Sequence, residues 1–122
     1  MKWLLVFLGG GMGSVLRFGI SMFIQRMLWV FPAATLISNV IAAILIGALT
    51  VSIYKSNSSM WYLLAIGLCG GLSTFSTFSL ETIQLFRSGH VVFAWINILL
   101  SIALCLAVVY IILRTFPETL AP

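Results

Sequence analysis

The sequence predicts an all-α integral membrane protein of four transmembrane helices, and three observations carry that prediction. Hydrophobic residues make up 62% of the 122-residue chain and charged residues only 7%, where an average soluble domain has about 25% charged. The mean hydropathy is +1.23. Four apolar segments each reach the roughly 20 residues that a helix needs to cross a bilayer core. With two acids, six Lys/Arg and one His, the chain has too few charges to cover a water-facing surface. A nucleic-acid partner is excluded as well, because the pI near 9.6 reflects scattered bases rather than a basic stripe. Cys69 and Cys105 both lie inside apolar runs, which excludes a disulfide scaffold. The length allows one domain, residues 1–122.

The first span runs over residues 3–24, interrupted only by Arg17. Its opening, with Lys2 before Trp3–Leu8 and small residues at Gly9–Gly11, is like a signal peptide. The hydrophobic stretch resumes after Arg17 and three spans follow, so it reads as a retained helix. The second span covers 33–54, with Pro32 at its first turn, where proline suits a helix start. The third covers 60–80 and the fourth 91–113, separated by Glu81–His90 with Ser88-Gly89 as a helix stop. The tail after Arg114 reads as a short cap. Trp3, Trp29, Trp61, Tyr62, Trp95 and Tyr110 sit mostly near span ends, as an interfacial belt does.

Orientation is weakly encoded. An even number of spans puts Lys2, Lys55 and Arg114 on one side of the membrane and Arg26 and Arg87 on the other. A margin of three to two fits a uniquely oriented chain and one that inserts both ways equally well. Four helices leave little room for an aqueous path, so oligomerisation is expected from size, with any polar path at or beside the subunit interface.

Polar groups in a span cost free energy unless protein or water meets them, so their positions are informative. Gly9 and Gly13 form a small-xxx-small pair. Arg17 either draws an anion into a vestibule or is a structural, helix-end-bonded arginine, and the second is preferred, since a guanidinium in a pore traps an anion. Asn39, with Thr35, Ser38 and Ala42 on its side of the helix, either donates to a dehydrated anion or clamps two helices. The run Gly67–Ser79 carries three glycines and five hydroxyl residues around Phe75 and Phe78. A break at Gly70-Gly71 is expected there, since adjacent glycines each weaken a helix by about 1 kcal/mol. It would free backbone carbonyls of the kind that hold a cation, and two breaks meeting at a dimer axis would cage one Na⁺. Phe75 and Phe78 share a helix face and offer positive ring edges to an anion, or simply pack. Asn97, Ser101 and Cys105 form a mildly polar stripe that lines a path or bonds neighbouring helices. Glu81 reads as a solvent-reaching carboxylate at a helix end, and His90 suggests nothing specific.

Three segments in order resemble the Fluc/CrcB fluoride channel family: Gly9–Arg17, Thr35–Asn39 and Gly67–Phe78, the last similar to its long G-x-x-G-G-x-T-T-F-S-T-F signature. The resemblance covers the whole chain. It implies a passive channel rather than an enzyme, in the cell membrane, exporting fluoride and selective over chloride. It implies an antiparallel, dual-topology homodimer with two pathways, a paired homologue being the alternative partner. Asn39, Phe75 and Phe78 would line the pore with the hydroxyls of Thr74, Ser76, Thr77 and Ser101. A structural, non-transported Na⁺ would be held by the carbonyls of Gly70 and Ser73. The chain departs from the family pattern at Ser73, Ala42, Asn97 and Cys105, where threonine, glycine, tyrosine and serine are expected. Two rivals are weighed: a proton-coupled multidrug exporter, which lacks its acid in the first span here, and a non-transporting assembly subunit, which would carry no ion flux.

Overall fold

Helix α1 spans Lys2–Gln25 and α2 spans Ala33–Ile53. A π-helical segment, Trp61–Leu68, runs directly into α3, Cys69–Leu72, and is followed by α4, Phe75–Arg87, and α5, Val91–Thr115. This computed structural model describes residues 1–27, 30–53 and 59–116. Among them every regular element is helical, and four helical stretches are long and apolar enough to cross a membrane, the third being Trp61–Arg87. Tyr54 at the expected end of the second span, Lys55 of the orientation count, Trp29 of the belt and the tail Pro117–Pro122 lie outside the described residues.

Spans one and four agree with expectation to within two residues. The third does not end at Leu80: α4 continues to Arg87, so Glu81–Arg87 is helix rather than connector. Phe78, Thr82 and Leu85 explain why, because their spacing builds one buried face while Glu81, Gln84 and Arg87 lower the hydropathy without stopping the helix. The stop falls at the expected Ser88-Gly89. Gly89 takes φ +84°, a conformation that favours glycine, and its N–H donates to Phe86 O while that of His90 donates to Leu85 O.

The glycine pair is also placed differently from expectation. Gly70 and Gly71 are helical, and the interruption lies at Ser73 and Thr74, both extended (ψ 153° and 115°). The glycines serve close approach. Spans one and three run parallel, with the Lys2 ammonium 5.0 Å from the Tyr62 ring centre. A methyl group at Gly9 would lie 2.9 Å from Leu68 N, one at Gly13 2.7 Å from Leu72 N, and one at Gly71 3.0 Å from Ser14 N. These are main-chain atoms that cannot step aside, so only glycine lets the two helices meet.

Helix α2 packs beside α5, and α4 returns antiparallel along α5, where Phe86 meets Trp95 edge-on at 5.7 Å. The shared interior is rich in small and polar residues, with Ser38, Ala42, Thr82, Ala94 and Asn97 buried beside the larger Phe78 and Leu85. Large apolar side chains such as Phe7, Phe23, Leu99 and Leu106 face outward. That inversion suits lipid, where helices associate through close packing and hydrogen bonds rather than through the hydrophobic effect.

Candidate functional site

The site begins at the interruption of the third span, which Asn39 creates. In a continuous helix the Thr74 N–H would donate to Gly70 O. Instead it donates to Asn39 Oδ1 at 2.7 Å, and Asn39 Nδ2 donates back to Thr74 O at 3.2 Å. One amide side chain from α2 thus satisfies both main-chain groups of an extended residue. Asn39 makes the interhelical clamp of the second alternative, and its second amide N–H remains outside this pair. Thr74 then starts α4: its hydroxyl accepts from the Thr77 N–H at 3.3 Å and donates to the Thr77 hydroxyl at 3.1 Å. The Ser76 hydroxyl lies 3.3 Å from that of Thr74.

The interruption releases carbonyls. Gly70, Gly71, Leu72 and Ser73 lose the helical donors that Thr74 to Thr77 would have supplied. Arg17 Nε donates to Gly71 O at 3.1 Å, so the half-buried arginine bonds the end of α3, as the structural alternative expects. No comparable side chain reaches Gly70 or Ser73 among the described hydrogen bonds, and both residues are exposed.

A cavity of about 600 Å³ gathers the pieces. Its wall includes Asn39 from α2, Gly70 from α3, Ser73 and Thr74 from the interruption, Phe75 and Phe78 from α4, and Ser101 from α5. The two rings lie 5.5 Å apart, centre to centre, inclined at 41°. They are not equivalent, since Phe78 is 8% exposed and Phe75 is 76% exposed. Cys69 and Cys105 line the same wall. Ser76 and Thr77 do not lie on it; their hydroxyls belong to the cap that holds Thr74. Arg17 is likewise off this wall.

Two features were beyond the sequence reading. Glu81 is not a solvent-reaching carboxylate: it sits within α4, half-buried, and its Oε1 accepts from the Thr35 hydroxyl at 2.9 Å. Its Oε2 is buried without a hydrogen-bond partner among the described residues. Hydropathy falls after Leu80 although the helix continues to Arg87, which is why Glu81 resembles a helix-end group in the sequence. Thr82, which carries no motif signal, links α4 to Asn97 of α5 at 2.9 Å.

Fold and site define a multi-pass membrane protein with a mostly apolar cavity between its helices, set with a few polar groups, and comparison with known proteins narrows the class to a channel rather than an enzyme. The family profile described as "CrcB-like protein, Camphor Resistance (CrcB)" matches residues 4–113. A "Fluoride-specific ion channel FluC" from Coxiella burnetii is 44% identical over 112 residues, covering 88% of this chain and 90% of the relative. Proteins of the same name from Ruminiclostridium cellulolyticum (45% identical; 80% of this chain, 78% of the relative) and Serratia proteamaculans (44%; 82% and 81%) are similar along most of their length. The chain belongs to the CrcB family of membrane channels, and its place is the cell membrane.

Proposed function

We propose that the chain forms a fluoride-specific channel that passively releases cytoplasmic fluoride, as an antiparallel homodimer whose ion paths follow the cavity described above. The observation that carries this reading is the convergence on one wall of Asn39, Thr74, Phe75, Phe78 and Ser101, within a family whose relatives bear that name. Fluoride is small and tightly hydrated, so a narrow path must replace its water with donors. The second amide N–H of Asn39 and the wall hydroxyls supply hydrogen bonds, and the phenylalanine edges supply weaker positive contacts. The larger chloride is excluded by width. Hydrogen fluoride enters cells from acidic surroundings and dissociates inside, and an inside-negative potential then drives the anion out through a passive path.

A structural sodium ion at the dimer centre belongs to the same reading. Gly70 O and Ser73 O fit it: they are hard oxygen donors at the exposed edge of the cavity, the first losing its helical partner to Asn39 and the second to the Thr74 hydroxyl. Each copy would supply the pair. When bound, sodium would supply positive charge at the junction, while Arg17 keeps Gly71 O occupied.

Growth tests the proposal in cells. A bacterial strain lacking its own fluoride exporter, expressing this chain, is predicted to grow in millimolar sodium fluoride where the empty-vector strain stops. Absence of rescue with the protein present in the membrane fraction would overturn fluoride export by this chain alone, and rescue only on co-expression of a homologue would overturn the homodimer.

A further inference from the structure

The wall residues Phe78 and Ser101 are joined by one hydrogen-bond relay through Thr82 and Asn97, neither of which lines the cavity. Thr82 Oγ1 donates to Phe78 O at 2.7 Å, one turn back along α4. Asn97 Nδ2 donates to Thr82 Oγ1 at 2.9 Å, and Ser101 Oγ donates to Asn97 Oδ1 at 3.3 Å. The direction is set by chemistry. A carbonyl only accepts, so the Thr82 proton must go to Phe78 O. The Thr82 oxygen is then left to accept, which turns the amide nitrogen of Asn97 toward it and the amide oxygen toward Ser101. Ser101 must therefore donate inward and present oxygen lone pairs to the cavity. Asn97 is 1% exposed, Thr82 5% and Ser101 6%, so no bulk water relieves the constraint. Asparagine suits the central place because its one short side chain carries both an acceptor and donors.

We propose that Asn97 is a positioning residue for the ion path: it fixes Phe78 against α5 and holds the Ser101 proton turned from the cavity until an arriving anion draws it out. The link to Ser101 is the longest of the three, at 3.3 Å, and is the one an anion competes for. The proposal rests on the fluoride reading above, since only an anion path gives Phe78 and Ser101 this meaning.

The test uses the full chain in liposomes, with fluoride and chloride efflux measured side by side and assembly followed by size-exclusion and thermal melting in detergent. Four variants are compared with wild type: Thr82→Ser, Thr82→Val, Asn97→Leu and the double Thr82→Val/Asn97→Leu. Thr82→Ser keeps the relay and is expected to match wild type. Thr82→Val and Asn97→Leu are each expected to lower fluoride efflux by roughly tenfold or more, the scale on which small displacements at a site act, and to narrow the fluoride-to-chloride ratio. The double variant removes the amide that Thr82→Val leaves without its acceptor, so its melting temperature should recover relative to Thr82→Val. Its flux should stay as low as in either single variant, because the relay acts as a unit. Should a single variant fail to assemble, the double carries the same comparison. Flux that recovers together with stability in the double variant would reduce Asn97 to a structural residue and overturn the proposal. Unchanged flux in Asn97→Leu would do the same. A wild-type protein that carries no fluoride would instead overturn the channel reading, and this inference with it.

Discussion

Replacing Asn39 by alanine removes the group that holds the third span open. Two hydrogen bonds disappear, at 2.7 and 3.2 Å, and the Thr74 N–H is free to return to Gly70 O. A typical hydrogen bond contributes about 0.5–1.5 kcal/mol net, and measured values between membrane helices average about 0.6. The two together favour the interrupted form by roughly 1 kcal/mol, or about a fivefold shift in its population. The larger effect falls on conduction. A hydrogen bond to an ion is worth about 1.5–3 kcal/mol, so losing the free amide N–H should slow fluoride by roughly ten- to a hundredfold. Asn39→Asp separates the two effects: one oxygen still accepts from Thr74 N–H, but a carboxylate now faces the anion. At about 4 Å and an effective dielectric constant near 20, that repulsion reaches about 4 kcal/mol, enough to abolish detectable flux. The assay is fluoride efflux from liposomes at matched protein density, with amide exchange at Thr74 reporting the interruption. Asn39→Ala efflux equal to wild type, with the interruption intact, would refute both roles.

Further expectations concern packing, rings and the carboxylate. Gly9→Ala and Gly13→Ala drive a methyl group into the main chain of the third span and should abolish assembly on size-exclusion, whereas Gly11→Ala and Gly19→Ala, with nothing within 4 Å, should elute as wild type. Phe75→Ile and Phe78→Ile should both cut fluoride efflux while the oligomer persists. Only Phe78→Ile should lower the melting temperature, because Phe78 is the buried ring, and unchanged flux in both would remove the ring-edge contribution. Thr35→Val strips Glu81 of its hydrogen bond and should destabilise by about 1–3 kcal/mol; Thr35→Val/Glu81→Gln should recover part of that in a thermal melt, since a neutral amide replaces a stranded carboxylate. Substituting N-methylglucamine for sodium on both sides of the membrane should silence efflux if the Gly70 and Ser73 carbonyls hold Na⁺, and undiminished efflux would remove that ion from the account.

Helix number, span positions and most wall residues were legible because lipid imposes two simple rules, apolar length and the cost of stray polar groups. Asn39 and Ser101 stood out by those rules, Phe75 and Phe78 by sharing a helix face among hydroxyl residues, and the four meet on one cavity. What hydropathy could not register was helix beyond the apolar stretch, which hid α4 after Leu80 and led to Glu81 being read as a surface group. The interruption was misplaced for a related reason. Glycine is a poor helix former, yet Gly71 is required by its neighbour Gly10, while the turn in the chain is made by competition from Asn39 on another helix. A local sign did exist in the spacing of Thr74 and Thr77, which matches a capped helix start. The π-helical stretch Trp61–Leu68 has no such sign, since nothing in WYLLAIGL distinguishes it from α-helix. The roles of Asn97 and Thr82 likewise emerge only when α4 and α5 are placed side by side.

The most direct measurement is fluoride efflux from liposomes holding the purified chain alone, read with a fluoride electrode after adding a potassium ionophore, with chloride run in parallel. The account predicts rapid, complete fluoride release within the mixing time of the electrode and retention of chloride. Equal release of both ions would contradict selectivity by the cavity, and retention of fluoride by well-reconstituted protein would contradict the channel itself.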